Sequence, residues 1–209
     1  MGALPYSGGV TFRVWAPHAE AVSVSGTFND WDREGITLAR DPPASAPGAP
    51  GSWSGTWSAD VPGVRVGAEY RYLLQTPAGV LSRIDPYARQ VTSSVGNAVV
   101  YDPDAFDWGD VAFDTPSWSD IVIYEMHIGT FGARNGTPGD FDRAIRRMPY
   151  LHDLGIGAIQ VMPPFEYAGD VSWGYNPAHI FAIESTYGGS RCVQALRAGR
   201  PRARHRGDR

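Results

Sequence analysis

The chain has 209 residues, 43% hydrophobic and 12% aromatic, which is enough apolar material for one large domain or two small ones. No run of about 18 apolar residues occurs, which excludes a membrane-spanning helix, and the single Cys192 excludes an internal disulfide framework and a cysteine metal cluster. The formal charge of −4 conceals an asymmetry: every basic residue is arginine, and seven of the 18 fall in residues 191–209 beside one acid, Asp208.

Residues 1–9 lack the basic-then-apolar order of a secretory signal, so a cytoplasmic location is expected. Residues 8–102 read as short strands. In 10–15 the alternation puts Val10, Phe12 and Val14 on one face, and 21–25 alternates Val22 and Val24 with small or polar neighbours. The run 53–59 continues the pattern, and 69–75 opposes Tyr70, Tyr72 and Leu74 to Glu69, Arg71 and Gln75. Turn signals at Ala16-Pro17-His18 and Asn29-Asp30, and a Pro/Ala/Gly-rich surface loop over 41–51, separate the strands. This spacing predicts an antiparallel β-sandwich of about 100 residues, placed at 1–105. A linker, 106–120, holds Trp108 and Trp118, which are expected to pin it onto a neighbouring domain.

Beyond it, 121–124 is a dense apolar strand of the kind buried on both faces. A helix is predicted from Asp140, with Phe141, Ala144, Ile145, Met148, Leu151 and Leu154 three or four apart and Gly155 as its stop. A second apolar strand, 158–162, ends at Pro163-Pro164. Strand, helix, strand is one β/α repeat of a parallel sheet.

Five motifs in order carry a resemblance over about residues 8–190. Gly9-Val10-Thr11-Phe12-Arg13-Val14-Trp15-Ala16-Pro17 with Gly26-Thr27-Phe28-Asn29-Asp30-Trp31, and then Asp85-Pro86-Tyr87-Ala88, resemble the family 48 carbohydrate-binding module, an immunoglobulin-like sandwich found ahead of α-glucan enzymes. Tyr124-Glu125-Met126-His127-Ile128-Gly129-Thr130-Phe131, the segment 154–163, and Ser172-Trp173-Gly174-Tyr175-Asn176-Pro177 with Tyr187-Gly188-Gly189 look like the first strands and following loop of glycoside hydrolase family 13. The implied architecture is that sandwich followed by the truncated start of a (β/α)8 TIM barrel over 121–190. Branching enzymes, trehalohydrolases and amylases share this front end. The Trp-Gly-Tyr-Asn-Pro loop leans toward 1,4-α-glucan branching enzymes, since trehalohydrolases more often carry Asp-Gly where Asn176-Pro177 stands here. Amylase or malto-oligosyltrehalose trehalohydrolase relatives, and a non-catalytic glucan-binding module, are the alternatives.

The resemblance implies a retaining mechanism with a carboxylate nucleophile and a carboxylic acid roughly 5–5.5 Å apart, lying after the family's fourth and fifth strands, and a third carboxylate after the seventh. A barrel of this kind takes about 250 residues, so 121–190 supply about two strands. None of Glu125, Glu166, Asp170 and Glu184 matches a catalytic position; they read as supporting or surface groups, and no catalytic residue is assigned. Tyr175 matches the family's tyrosine that stacks on sugar at the cleavage site, a ring face suiting the C–H face of a pyranose. Trp173 and Asn176 are further substrate-binding candidates. His127 and His179 read as satisfied structural histidines. On the sandwich, Trp31 and Trp15 are candidate glucan platforms, with packing as the alternative, and Trp53 and Trp57 read as core. The expected partner is an α-1,4-glucan such as glycogen or malto-oligosaccharide. No cofactor, metal site, nucleic acid or membrane is expected.

Residues 191–209 show a proline, a swarm of arginine and no apolar period, and are read as a disordered, frameshifted tail. Back-translated with chosen codons and read without its first base, the segment becomes DAFKRFVRAAHERGIAVI, an amphipathic helix followed by an apolar strand. A basic nucleic-acid arm is the rival reading; it lacks interleaved aromatics and adjoining basic surface. Two parallel strands cannot close a barrel, so 121–190 are expected to expose apolar faces and edges while the sandwich folds alone.

Overall fold

The computed structural model describes residues 1–42, 54–109, 116–169 and 171–197. It divides into two compact units, Met1–Pro103 and Asp104–Arg209.

In the first unit, β1 (Gly2–Tyr6), β2 (Gly9–Trp15), β5 (Ala39–Arg40) and β6 (Thr56–Pro62) form an antiparallel sheet in the order β1-β2-β6-β5. A second antiparallel sheet orders β4 (Ile36–Thr37), β3 (Ala21–Gly26), β7 (Glu69–Thr76) and β8 (Gly79–Arg83), with β9 (Ala98–Val99) also on β7. Period-two alternation explains both. Val10, Phe12 and Val14 are buried while Arg13 and Trp15 face outward. From the other sheet Val22, Val24, Tyr70 and Tyr72 meet them, and the Phe12 and Tyr70 rings stand 4.9 Å apart, edge to face. Each such side chain contributes roughly 1.5–3 kcal/mol on burial, and together they make the unit a β-sandwich. Trp57 is core, as expected: it is buried, donates through its indole N–H to the Ala16 carbonyl at 3.0 Å and lies under the Arg40 guanidinium. Trp53 and most of the 41–51 loop lie outside the described residues.

The tetrapeptide Asp85-Pro86-Tyr87-Ala88 has a folding role. Asp85 is fully buried and accepts from the Tyr70 hydroxyl at 2.6 Å and the Tyr87 backbone N–H at 2.8 Å. Burial first, and then the Asp85 carboxylate, push the Tyr70 phenol well above its ordinary pKa, so it remains a donor.

In the second unit, β10 (Ile123–Met126) and β11 (Ala158–Val161) pair in parallel, Ile123 opposite Ala158. Between them lie α1 (Phe141–Arg146) and α2 (Met148–Asp153). Asp140 caps α1, its carboxylate accepting from the Arg143 N–H at 2.6 Å. The single helix expected from Asp140 is broken at Arg147, because Pro149 has no N–H to give the Ile145 carbonyl and its ring crowds that turn. Gly155 ends the segment at φ +89°. Leu154, expected on the apolar face, is 60% exposed.

Three further expectations are corrected. β10 is not buried on both faces: Ile123 and Glu125 are exposed, because among the described residues the core packs only against the face of Tyr124 and Met126. Trp118, read as a pin for the linker, is 86% exposed. The tail is not structureless from residue 191, since α3 runs Gly189–Arg197 with Cys192 and Ala195 buried. Cys192 and Leu196 do fall at helical spacing, and their face joins a core of Met126, Phe141, Leu151, Tyr167 and Tyr187. Residues 198–209 lie outside the described residues. Between β11 and α3 stands an antiparallel hairpin, β12 (Phe165–Tyr167) and β13 (Pro177–Ile183), where the sequence suggested only a loop.

Candidate functional site

Parallel pairing places the carboxyl ends of β10 and β11 side by side, so His127 and Met162-Pro163 emerge at one end. The loop 171–176 is fastened there. His127 Nε2 lies 3.0 Å from the Ser172 carbonyl, and the Ser172 hydroxyl accepts the Gly174 N–H at 3.0 Å while donating to Asn176 Oδ1 at 2.5 Å. Gly174 is buried against strand β11's exit: at φ +85°, an added Cβ would sit 1.8 Å from the Pro163 carbonyl oxygen. With the backbone held, Trp173 and Tyr175 project outward, 70% and 67% exposed, beside exposed Asn176. The three residues read from sequence as sugar contacts therefore share one loop.

His127 is satisfied at both ring nitrogens, as expected of a structural histidine: Nδ1 is 3.1 Å from Thr130 Oγ1, and Nε2 also lies 3.2 Å from the Tyr187 hydroxyl. Tyr187 accepts from the Tyr167 hydroxyl at 3.4 Å, and burial above all pushes its phenol far up, so it stays neutral.

The carboxylates of this unit do supporting work. Glu184 accepts from the Thr186 N–H and hydroxyl and from the Tyr167 N–H. Glu166 accepts from the Ser185 N–H at 2.7 Å and faces His179 across the hairpin. Both are 2% exposed, and burial raises the Glu166 pKa. They tie the hairpin to the 3₁₀ turn Ser185–Tyr187. Glu125 is exposed in β10, and Asp170 lies outside the described residues. Among the described residues no group of three or more His, Cys, Asp or Glu could hold a metal ion.

A second site lies on the sandwich. After β3 the 3₁₀ turn Thr27–Asn29 is closed by Asn29 Oδ1, which accepts the Gly26 N–H at 2.8 Å, and the Trp31 N–H returns to the Gly26 carbonyl at 2.9 Å. Asp30 and Trp31 are both left-handed, φ +52° and +57°, a conformation that costs roughly 1–2 kcal/mol for such residues. That turn throws the Trp31 indole over the outer face of β7 and β8. There it lines a cleft of about 400 Å3 with Arg33, Arg71, Leu73, Val80 and Ser82. Arg71 is fixed by Ser82 Oγ at 2.9 Å and the Gly96 carbonyl at 2.7 Å, while Val80 is 59% exposed. The cleft thus has an apolar floor, an indole wall and a guanidinium rim, which suits a polyol with apolar C–H faces. Trp15 is exposed too, but it stands on the outer face of the other sheet, its indole N–H on the Ser54 carbonyl. The two candidate platforms do not share a site. Arg71, Leu73, Val80 and Ser82 were not singled out from sequence. The available signal was Leu73, an apolar residue at an outward position of a strand whose inward set is Tyr70 and Tyr72.

Residues 1–88 match the family described as carbohydrate-binding module 48 (isoamylase N-terminal domain). The chain is 36% identical over 197 residues to the 1,4-alpha-glucan branching enzyme of Lactiplantibacillus plantarum, covering 88% of this chain and 29% of that protein. Among solved structures, a putative alpha amylase from Salmonella typhimurium aligns with a TM-score of 0.76 at 31% identity, over 95% of this chain and 30% of that one. The pullulanase type I of Bacillus subtilis, solved with maltose, aligns at 0.73 with 23% identity, over 95% of this chain and 30% of its own, and shows the shared fold. The chain thus spans less than a third of the length of each of these three relatives.

Proposed function

From a chain whose residues 1–88 are a family 48 carbohydrate-binding module and which is similar over most of its length to 1,4-α-glucan branching enzymes, we infer that it engages α-1,4-glucan, glycogen or malto-oligosaccharide, as part of branching chemistry in the cytoplasm. That chemistry cleaves an α-1,4 link, holds the fragment, and rejoins it through an α-1,6 link. On this reading β10, the α1–α2 pair and β11 are the opening β/α unit of a family 13 barrel. The loop 171–176 supplies sugar contacts through Tyr175, Trp173 and Asn176, and Trp31 grips glucan in the cleft of the first unit. The observation that carries the proposal is the Trp31 cleft, a rigid indole over outward apolar side chains with a fixed arginine beside it.

The 209 residues hold no matched catalytic carboxylate, so by themselves they bind without turning over. The alternative overall activity, hydrolysis, is favoured by the 31% identity to the amylase. Titration of the purified chain with maltoheptaose, followed by tryptophan fluorescence, tests binding. A saturable shift that Trp31→Ala reduces, leaving the weaker share of the loop 171–176, supports the module reading, and no shift at millimolar sugar rejects it. Amylose incubated with the chain is expected to keep its iodine colour; new α-1,6 linkages would contradict the non-catalytic reading of these residues.

A further inference from the structure

His127 is placed to do more than satisfy itself. It directly follows β10 and lies 45 residues from Ser172 in sequence, yet its Nε2 is 3.0 Å from the Ser172 carbonyl. A carbonyl can only accept, which assigns a proton to Nε2, while Nδ1 lies 3.1 Å from the Thr130 hydroxyl, which also donates to the His127 carbonyl at 3.3 Å. The ring is steadied from a third side by buried Tyr187, whose ring stands edge-on at 6.1 Å and whose hydroxyl is 3.2 Å from Nε2. Tyr187 is itself held in the core with Tyr167, Phe141 and Cys192. Thr130 and Tyr187 thus hold the imidazole from within the second unit, and its Nε2–Ser172 bond leads outward into the loop.

That loop buries little of its own. Trp173, Tyr175 and Val171 are 70%, 67% and 87% exposed, so apolar packing does not fix their position. Contacts through the backbone do, and one of them ends on His127. We propose that His127 is a positioning residue for the sugar-facing loop. Its Nε2–H holds the Ser172 carbonyl and so sets where the Trp173 and Tyr175 rings stand toward an α-1,4-glucan. The chain of contacts runs from the buried core through Tyr187 and the imidazole to the Ser172 backbone, and from there to the exposed rings. The proposal rests on reading this loop as a substrate contact.

The test uses the whole chain carrying Trp31→Ala, so that the sandwich cleft does not mask the loop, with maltoheptaose as probe. His127→Leu fills the space without a donor; His127→Gln keeps an N–H within reach of the same carbonyl. His127→Leu is expected to weaken maltoheptaose binding about five-fold, the scale of one lost hydrogen bond, and to speed amide exchange across 171–176. His127→Gln is expected to restore both, a rescue that a purely structural role for the ring would not give. If Tyr175→Ala leaves binding unchanged in this background, the loop is not a sugar contact and the proposal falls with that reading. If Tyr175→Ala weakens binding but His127→Leu changes neither affinity nor exchange, the loop reading stands and the positioning role is overturned. Should His127→Leu unfold the second unit, His127→Gln decides: parental affinity and protection support the role of the donor, and their loss overturns it.

Discussion

Gly174→Ala separates loop position from unit stability. In the parent, the position of a Cβ is 1.8 Å from the Pro163 carbonyl oxygen, whereas ordinary contact begins at 3.4 Å, so the two backbones must part by the difference, about 1.6 Å. The left-handed φ of +85° adds roughly 1–2 kcal/mol for alanine. Against this strain stands chiefly the His127–Ser172 hydrogen bond, with a net contribution of about 1 kcal/mol. The strain exceeds the tether, so the loop is expected to leave its seat while the core of Phe141, Leu151, Tyr187 and Cys192 stays intact. Urea unfolding of the second unit should then shift by roughly 1 kcal/mol or less, the value of the tether. Maltoheptaose affinity in a Trp31→Ala background should fall about ten-fold, for one aromatic contact of roughly 1.4 kcal/mol. Calorimetric titration and amide exchange over 171–176 read the two effects apart. Parental affinity together with parental protection would refute the reasoning, since the approach to Pro163 would then not be what seats the loop.

Glu166 gives a pH prediction. Its folded pKa is raised, by burial first, so between the unfolded and folded pKa values the unfolded state has lost the proton that the folded state keeps; the penalty on folding grows as pH rises through that window, is complete above the folded pKa, and lifts as pH falls back through it. Glu166→Gln should therefore flatten the pH dependence of second-unit stability between neutral and mildly acidic pH, measured by urea unfolding, and an unchanged profile would count against it. Tyr70→Phe removes a donor from buried Asp85 and should destabilise the sandwich by about 1–3 kcal/mol, seen as a lower thermal midpoint. Trp15→Ala, on the opposite sheet face from the Trp31 cleft, should leave maltoheptaose quenching intact; a loss equal to that of Trp31→Ala would place the sugar elsewhere.

What the sequence disclosed, and what it withheld, follows the range of the physics involved. Val10, Phe12 and Val14, like Tyr70 and Tyr72, announce their burial because alternation is a local signal and a sandwich rewards it on every strand. Asp140 announces a helix start for the same reason, while Pro149 was as legible a break and was passed over because the apolar spacing ran on through it. The β12–β13 hairpin hid behind Pro163-Pro164 and Pro177, residues that normally speak against strands but are tolerated at a strand's first position. Glu166 and Glu184 hid because a carboxylate reads as surface until backbone N–H groups from a distant turn are known to meet it. Trp173 and Tyr175 were legible as a motif, but their exposure was not, and neither was the hand that holds them. His127 and Ser172 meet only because two parallel strands bring their carboxyl ends together, a consequence of pairing that no window of sequence around either residue contains. The candidate site is therefore local in its chemistry and non-local in its geometry, and a substitution at His127 tests that geometry without touching the residues proposed to face sugar.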